Sequence, residues 1–233
     1  MQLGISIGIP STLGKVAAFS PLDLSPVLWL DASDTSTITE SGGSVSQWDD
    51  KSGNGNDVTQ GTAALQPTTG TRTLNGLNVL DFIDDRLGGI FAGGNIAQPF
   101  TLVAVATSDL ATAGYRYIAH GDSPSSYLGF IGSANLALGG GVVLTSSTGG
   151  TDPHIIVATA NSTSSLIRVD GNETTGDAGT RAFNTPFGIG AFSTPASYWD
   201  GTIAEIIVVD GTLTADQITA TESYLASKWG ITL

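Results

Sequence analysis

Cysteine is absent from the sequence, which removes disulfides, zinc–thiolate sites and thiol nucleophiles together and leaves the redox compartment open. Basic residues are scarce. Eight Lys and Arg stand against 21 Asp and Glu, for a net charge of −13, so the chain repels phosphate backbones and has no basic stripe for nucleic acid. Charge of either sign is sparse at 12% of residues, and the surface must be covered mainly by hydroxyls, amides and backbone. The acidic groups are scattered, as on a solvated face and not in an acidic tail. No long apolar run suits a membrane span. The opening MQLGISIGIPSTLGKVAAF is apolar but interrupted by Gly and Pro, and no basic region precedes its apolar part, so neither a signal peptide nor membrane insertion is expected.

What the sequence has instead is glycine, 31 residues of it, placed between short runs rich in Val, Ile, Leu and aromatics. PVLWLDA (26–32), NVLDF (78–82), FTLVAVAT (100–107), YRYIAHG (115–121), YLGFIG (127–132), HIIVATA (154–160), SLIRVDG (165–171) and TIAEIIVVD (202–210) all read as strands. In SLIRVDG, Leu166 and Arg168 fall on one face, Ile167 and Val169 on the other. VDGN at 169–172 predicts a tight hairpin, because Asp-Gly accepts the positive φ that a two-residue turn needs; VVDGTL at 208–213 repeats that chemistry. No composition shift marks a second domain, and 233 residues in one sandwich can bury roughly 70–75% of the surface of the unfolded chain.

One helix is predicted, near the C-terminus. Thr214 is a good N-cap, Gln217 completes a capping box, and Leu213 with Ile218 has the spacing of a hydrophobic staple. Ile218, Thr221, Leu225 and Trp229 recur as a buried stripe, and Gly230 is placed to end the helix. The fold class is therefore all-β: an antiparallel two-sheet sandwich with one C-terminal α-helix.

Two stretches carry a family likeness. YWDGTIAEIIVVDGTLTADQITATESYLASKWGI resembles the closing strand, turn and helix of laminin-G-like jelly-roll domains in the concanavalin A-like lectin/glucanase superfamily. LWLDASDTSTI, VSQWDDKSGNGNDVTQ and GLNVLDFIDDRLGG resemble that family's opening strand, tryptophan turn and hairpin, in the same order. The resemblance covers about residues 26–232 and implies a concanavalin A-like jelly roll. The superfamily hosts lectins, glycosidases, adhesive modules and virion surface proteins. Stand-alone copies with a short N-terminal extension are similar to bacteriophage head-decoration and tail proteins. The sequence thus divides into an N-terminal attachment arm, 1–25, and a jelly-roll domain, 26–233.

Candidate chemistry was weighed against structural roles. Asp50, Ser52, Asn54 and Gly55 fit D-x-S-x-N-G, the front half of a calcium loop, with Asn56 as a further oxygen ligand; Gly61 stands where the closing acid belongs. A tight turn held by Asn and Asp side chains, with Trp48 anchoring it to the core, is the favoured reading, and weak calcium binding the alternative. No other cofactor is expected. Glucanases of the superfamily place paired acids on one strand, but no E-x-D-x-E run occurs, and Asp81, Asp84 and Asp85 of DFIDDR have the wrong spacing to share a face. Glu205, inside the apolar IAEIIVV, is expected on the solvent face or satisfied by a buried partner. His120 and His154 border strands and turns and make a poor zinc pair; no G-x-S-x-G elbow is present, and the sequons at Asn161 and Asn172 read as chance. The expectation is a protein that is not an enzyme.

Trp199 closing the core beside the last strand is the favoured role, with Tyr198, Trp199 and Asp200 as a carbohydrate site on a loop the alternative. In the arm, Ile5, Ile7 and Ile9 alternate with Gly4, Ser6 and Gly8, an apolar strip that either packs on its own sheet edge or pairs with a neighbouring chain. The leading expectation is a phage virion structural subunit at the virion surface, assembled in the host cytoplasm. Its expected partners are other capsid or tail proteins, further copies of itself, a trimer being one arrangement, and a cell-surface glycan. The alternative is a lectin-like carbohydrate-binding module.

Overall fold

The computed structural model describes residues 18–110, 114–123, 125–133, 135–191 and 197–233. Eighteen strands and one helix follow in order: β1 Leu28–Asp31, β2 Ile38–Ser41, β3 Ser44–Trp48, β4 Val58–Thr59, β5 Thr73–Leu74, β6 Leu77–Asn78, β7 Leu80–Ile83, β8 Leu87–Gly89 and β9 Phe100–Ser108. Then come β10 Gly114–Gly121, β11 Tyr127–Ser133, β12 Asn135–Gly139, β13 Val143–Gly149, β14 Pro153–Ala160, β15 Ser165–Val169, β16 Asn172–Gly176, β17 Phe187–Ile189, β18 Asp200–Val209 and helix α1 Ala215–Trp229.

They form an antiparallel two-sheet sandwich. One sheet runs β1-β18-β9-β14-β15-β16, with β7 also on β18; the other runs β13-β12-β11-β10-β17-β8-β4-β3-β2. Strand β18 is long enough to hold two neighbours on one edge: its first residues pair with β7 (Asp200 opposite Ile83) and its later ones with β1 (Glu205 opposite Asp31). The β5–β6 hairpin stands apart.

The two sheets differ in what covers them. In β9, Leu102, Ala104 and Ala106 enter the core between the sheets, while Val103 and Val105 point the other way into a second apolar cluster. Ile218, Leu225 and Trp229 of α1 seal that second cluster, with Leu24 and Leu213. Through β1, β9, β14 and β18 both faces of the seven-stranded sheet are therefore buried, which is why those strands read as continuous apolar runs, while β16 at its edge is largely exposed. The nine-stranded sheet is lined on one face only. In β11, Leu128 and Phe130 are buried and Tyr127 and Ile131 are only partly so, so its outer face meets solvent.

Helix α1 begins at Thr214 with both halves of its capping box formed and ends at Gly230 in the left-handed region, φ 70°. Glu222 joins the expected stripe as a buried residue: its carboxylate receives Arg168 Nε at 2.9 Å and Nη2 at 3.0 Å. The alternation read in SLIRVDG is present, Ile167 and Val169 buried and Leu166 and Arg168 half-buried. Asp170 and Gly171 turn the β15–β16 hairpin with φ 48° and 77°. The second Asp-Gly, at 210–211, does not make a hairpin; it carries β18 into α1.

Residues 18–25, assigned from sequence to the arm, pack on the body. Ser20 caps a 3-10 turn, Pro21–Leu24; Leu24 is buried, and the Phe19 ring lies 5.8 Å from that of Tyr224. Ile5, Ile7 and Ile9 lie outside the described residues.

Candidate functional site

The tryptophan turn is built from hydrogen bonds within the chain. Asp50 Oδ1 accepts from the amides of Trp29 (2.9 Å) and Ser52 (2.8 Å), and Oδ2 from Ser52 Oγ (2.7 Å) and the Asn56 amide (3.0 Å). Asn56 donates Nδ2 to Val27 O and accepts the Ala92 amide at 2.8 Å; Asn54 Nδ2 donates to Pro26 O at 3.0 Å. Trp48 is fully buried beneath the turn. The four residues considered for calcium are thus brought together, but the Asp50 carboxylate is engaged by four protein donors. Among the described residues no three His, Asp or Glu side chains converge as a metal site.

A denser cluster of charge lies under α1. A register shift between Ile203 and Glu205 sets Glu205 opposite Asp31, two acids side by side and nearly inaccessible. Lys228 Nζ bridges them, 2.7 Å from Asp31 Oδ1 and 2.8 Å from Glu205 Oε2. Glu205 also receives the indole N–H groups of Trp29 and Trp229, each at 2.8 Å, and the Tyr224 hydroxyl at 3.1 Å. Lys51 continues the chain from Asp31 (2.9 Å) to Asp34 (2.8 Å). Burial pushes Glu205 upward, with Lys228 offsetting part of that. Burial also opposes ionisation of Asp31, yet Lys228, Ser33 and Lys51 together hold it below the usual range. These acids face each other with no cleft between them, so their chemistry is that of a satisfied buried network knitting β1, β18 and α1.

The other acids and histidines are dispersed. Asp81 is held by Arg72 at 3.1 Å, and Asp85 accepts the Ile83 amide at 3.0 Å. His154, in β14, engages Asp170 through Nδ1 at 2.6 Å, and Asp170 Oδ1 accepts the Ile155 amide at 2.8 Å, which ties the hairpin turn to the sheet. His120 sits in β10, on the other sheet.

Trp199 does not take the platform role. Its ring is 1% exposed and stacks on Phe130, centroids 5.6 Å apart at 6°, with Nε1 donating to Thr202 O. The Trp199 amide donates to Gly190 O, tying the residue ahead of β18 to the one that follows β17. Tyr198 and Asp200 remain partly accessible, and burial and the nearby Asp109 and Asp84 push the Asp200 carboxyl up.

An aromatic surface does exist, on the outer face of the nine-stranded sheet. In β10, Arg116 and Ile118 point inward while Tyr115, 58% exposed, and Tyr117 point outward. A register shift after Tyr117 brings His120 to the same face. Tyr127 stands opposite His120 in β11; their rings stack at 5.6 Å and 9°, and Tyr117 lies 4.6 Å from His120 and 5.3 Å from Tyr127. Glycine makes this possible. Gly139, opposite Tyr127 in β12, leaves room for the ring, since a Cβ there would overlap it; the Tyr115 hydroxyl lies 3.7 Å from where a Cβ on Gly132 would sit. Burial, then the neighbouring tyrosines, push the Tyr117 hydroxyl upward; burial does the same for Tyr127, and it pushes His120 downward. The face therefore presents neutral rings and neutral polar groups at physiological pH. YRYIAHG carries part of the signal, since alternation sets both tyrosines on the face opposite Ile118, but their clustering with His120 and Tyr127 comes from the pairing of β10 with β11.

No protein-family model and no curated protein matches the sequence. Solved structures do match in fold. Trypanosoma rangeli sialidase in complex with 2,3-difluorosialic acid aligns with 95% of this chain and 36% of its own, at 16% identity and a TM-score of 0.60. Domain 4 of AbnA, a GH43 extracellular arabinanase from Geobacillus stearothermophilus, in complex with arabinotriose, aligns over 83% of this chain and 96% of its own, at 11% identity and TM-score 0.57. The ligand binding domain of botulinum neurotoxin serotype D, in complex with N-acetylneuraminic acid, aligns over 88% and 53%, at 13% and 0.58. The chain spans about a third of the sialidase's length. These likenesses establish the β-sandwich fold.

Proposed function

We propose that this domain is a non-catalytic carbohydrate-binding module whose ligand lies on the outer face of the nine-stranded sheet, across Tyr115, Tyr117, His120 and Tyr127. The observation that carries the reading is an aromatic cluster, left open to solvent, on a protein that otherwise buries its rings. Aromatic faces stack on the C–H faces of sugars while phenol and imidazole groups exchange hydrogen bonds with hydroxyls, and such contacts need no ionised group. The complexes with arabinotriose and N-acetylneuraminic acid among its structural neighbours are consistent with that use of the fold.

Titration of the intact chain with a panel of oligosaccharides tests it. Tyr127→Ala should weaken binding by about tenfold or more, since one stacked ring contributes about 1–1.5 kcal/mol beyond its buried area. Gly139→Ala, which forces the Tyr127 ring to move, should do the same. Binding that survives both variants unchanged would place the ligand elsewhere.

A second reading gives the module its setting: a phage virion surface subunit attached through its N-terminal arm. The docking of Phe19 and Leu24 on the body favours it, because a fixed base at 18–25 lets whatever precedes it act as a tether of defined origin. Its test is particle occupancy after removal of residues 1–17.

A further inference from the structure

We propose that the ligand of the tyrosine face is an anionic saccharide, one that carries a carboxylate, and that Arg181 is the residue that selects it; this rests on the carbohydrate-binding reading above. The argument begins with how the chain uses its few cations. Lys51, Arg72, Arg168 and Lys228 are each tied to at least one carboxylate within about 3 Å. Arg116 is turned inward, buried over the Phe130 ring. Arg181 is exposed, and among the described residues its side chain has no ion pair and no hydrogen bond. Arg86 and Arg116 have partners of their own, so among the seven basic residues described Arg181 is the exception.

Its position is fixed by backbone. The Arg181 amide donates to Gly140 O at 3.0 Å, and its carbonyl accepts from Ser126 Oγ at 2.7 Å and Gln98 Nε2 at 2.9 Å. Ser126 is the residue before Tyr127 and Gly140 the residue after Gly139, so two of the three partners belong to the stretches that seat the tyrosine ring, and Gln98 supplies the third. The side chain lies across Gly141, its Nε 3.4 Å from where a Cβ would sit, two residues along from the glycine that makes room for Tyr127. Its charge reaches the Tyr127 hydroxyl, opposing the upward push of burial. The result is a neutral aromatic floor with one unengaged, planar, five-donor cation at its rim, a geometry suited to bidentate capture of a carboxylate. Asp122 follows His120 on the β10 side and makes no ion pair with Arg181 among the described residues, so the cation stays available.

The experiment uses ligand pairs that differ in charge: 3′-sialyllactose with lactose, and oligogalacturonides with their methyl esters, titrated into the intact protein by calorimetry. The acidic member of at least one pair should bind on the order of tenfold more tightly than its neutral partner. Arg181→Ala should erase that margin without weakening the neutral member, while Tyr127→Ala weakens both. Arg181→Lys should restore only part of it, because an ammonium lacks the fork. An acidic-to-neutral ratio unchanged in Arg181→Ala, with both ligands still dependent on Tyr127, would overturn the role of Arg181 and leave the carbohydrate-binding reading standing. Failure of every saccharide to bind, or binding indifferent to Tyr127, would remove both. Because the arginine backbone is held by partners independent of its side chain, the alanine variant should keep the wild-type near-ultraviolet spectrum.

Discussion

Single residues show where the fold tolerates charge it does not need. Asp85 is 8% exposed, and burial lifts its carboxyl from 3.8 to about 6, the amide of Ile83 resisting and Asp84 and Asp81 adding to the rise. A carboxyl raised on folding contributes stability below pH 3.8 and loses that contribution as pH climbs through about 6. Asp85→Asn keeps an acceptor for Ile83 and removes the charge, so it should stabilise the protein by about 1–2 kcal/mol at pH 7 and by little at pH 4. Denaturant melts at both pH values check this; an equal shift at each would contradict it. Trp48 was legible as a core anchor, and Glu205 as an acid either facing solvent or needing a buried partner, because an apolar setting leaves each few roles. For Trp199 the core role was favoured but the platform role stayed open, since a Tyr-Trp-Asp run beside a turn reads the same whether its ring points in or out. Tyr115, Tyr117 and Tyr127 were passed over as ordinary strand residues: their clustering depends on the pairing of β10 with β11 and on a register shift, which no local pattern announces.

At the level of elements, local chemistry was a good guide and pairing was not. The caps of α1 and the turn at Asp170–Gly171 follow from a few adjacent residues, and the structure has them where the sequence put them. By contrast, β1 pairs with β18 and β7 shares the same edge, partners more than a hundred residues apart that depend on the whole chain's closure. The join between β1, β18 and α1 passes through Lys228. Replacing it with Met would leave Asp31 and Glu205 opposed without their shared cation, and should cost about 3 kcal/mol at pH 7.5. Burial already raises Glu205, so the variant should lose less at pH 5, where one proton relieves the repulsion. A loss independent of pH would mean that Lys228 matters for packing rather than charge.

For the whole molecule, the distinction is between the body and what it is attached to. Residues 18–25 belong to the body by packing, so an arm that anchors the protein to a larger assembly must work through residues 1–17. Their removal should lower occupancy on virus particles severalfold while leaving saccharide binding and the melting temperature as they were. Unchanged occupancy, measured by quantitative gel of purified particles, would end the attachment reading. Composition foresaw a chain with few charges, and the jelly-roll likeness foresaw the layered architecture; neither could say which layer would be left bare.

That difference between the layers has a consequence for change over time. In the helix-capped sheet nearly every side chain of β1, β9, β14 and β18 is buried, so a substitution there must be answered by its neighbours. Outward positions such as Tyr115 and Tyr117 of β10 and Tyr127 of β11 are open or only partly covered. A lineage could therefore rewrite that face, ring by ring, on a foundation that never has to shift.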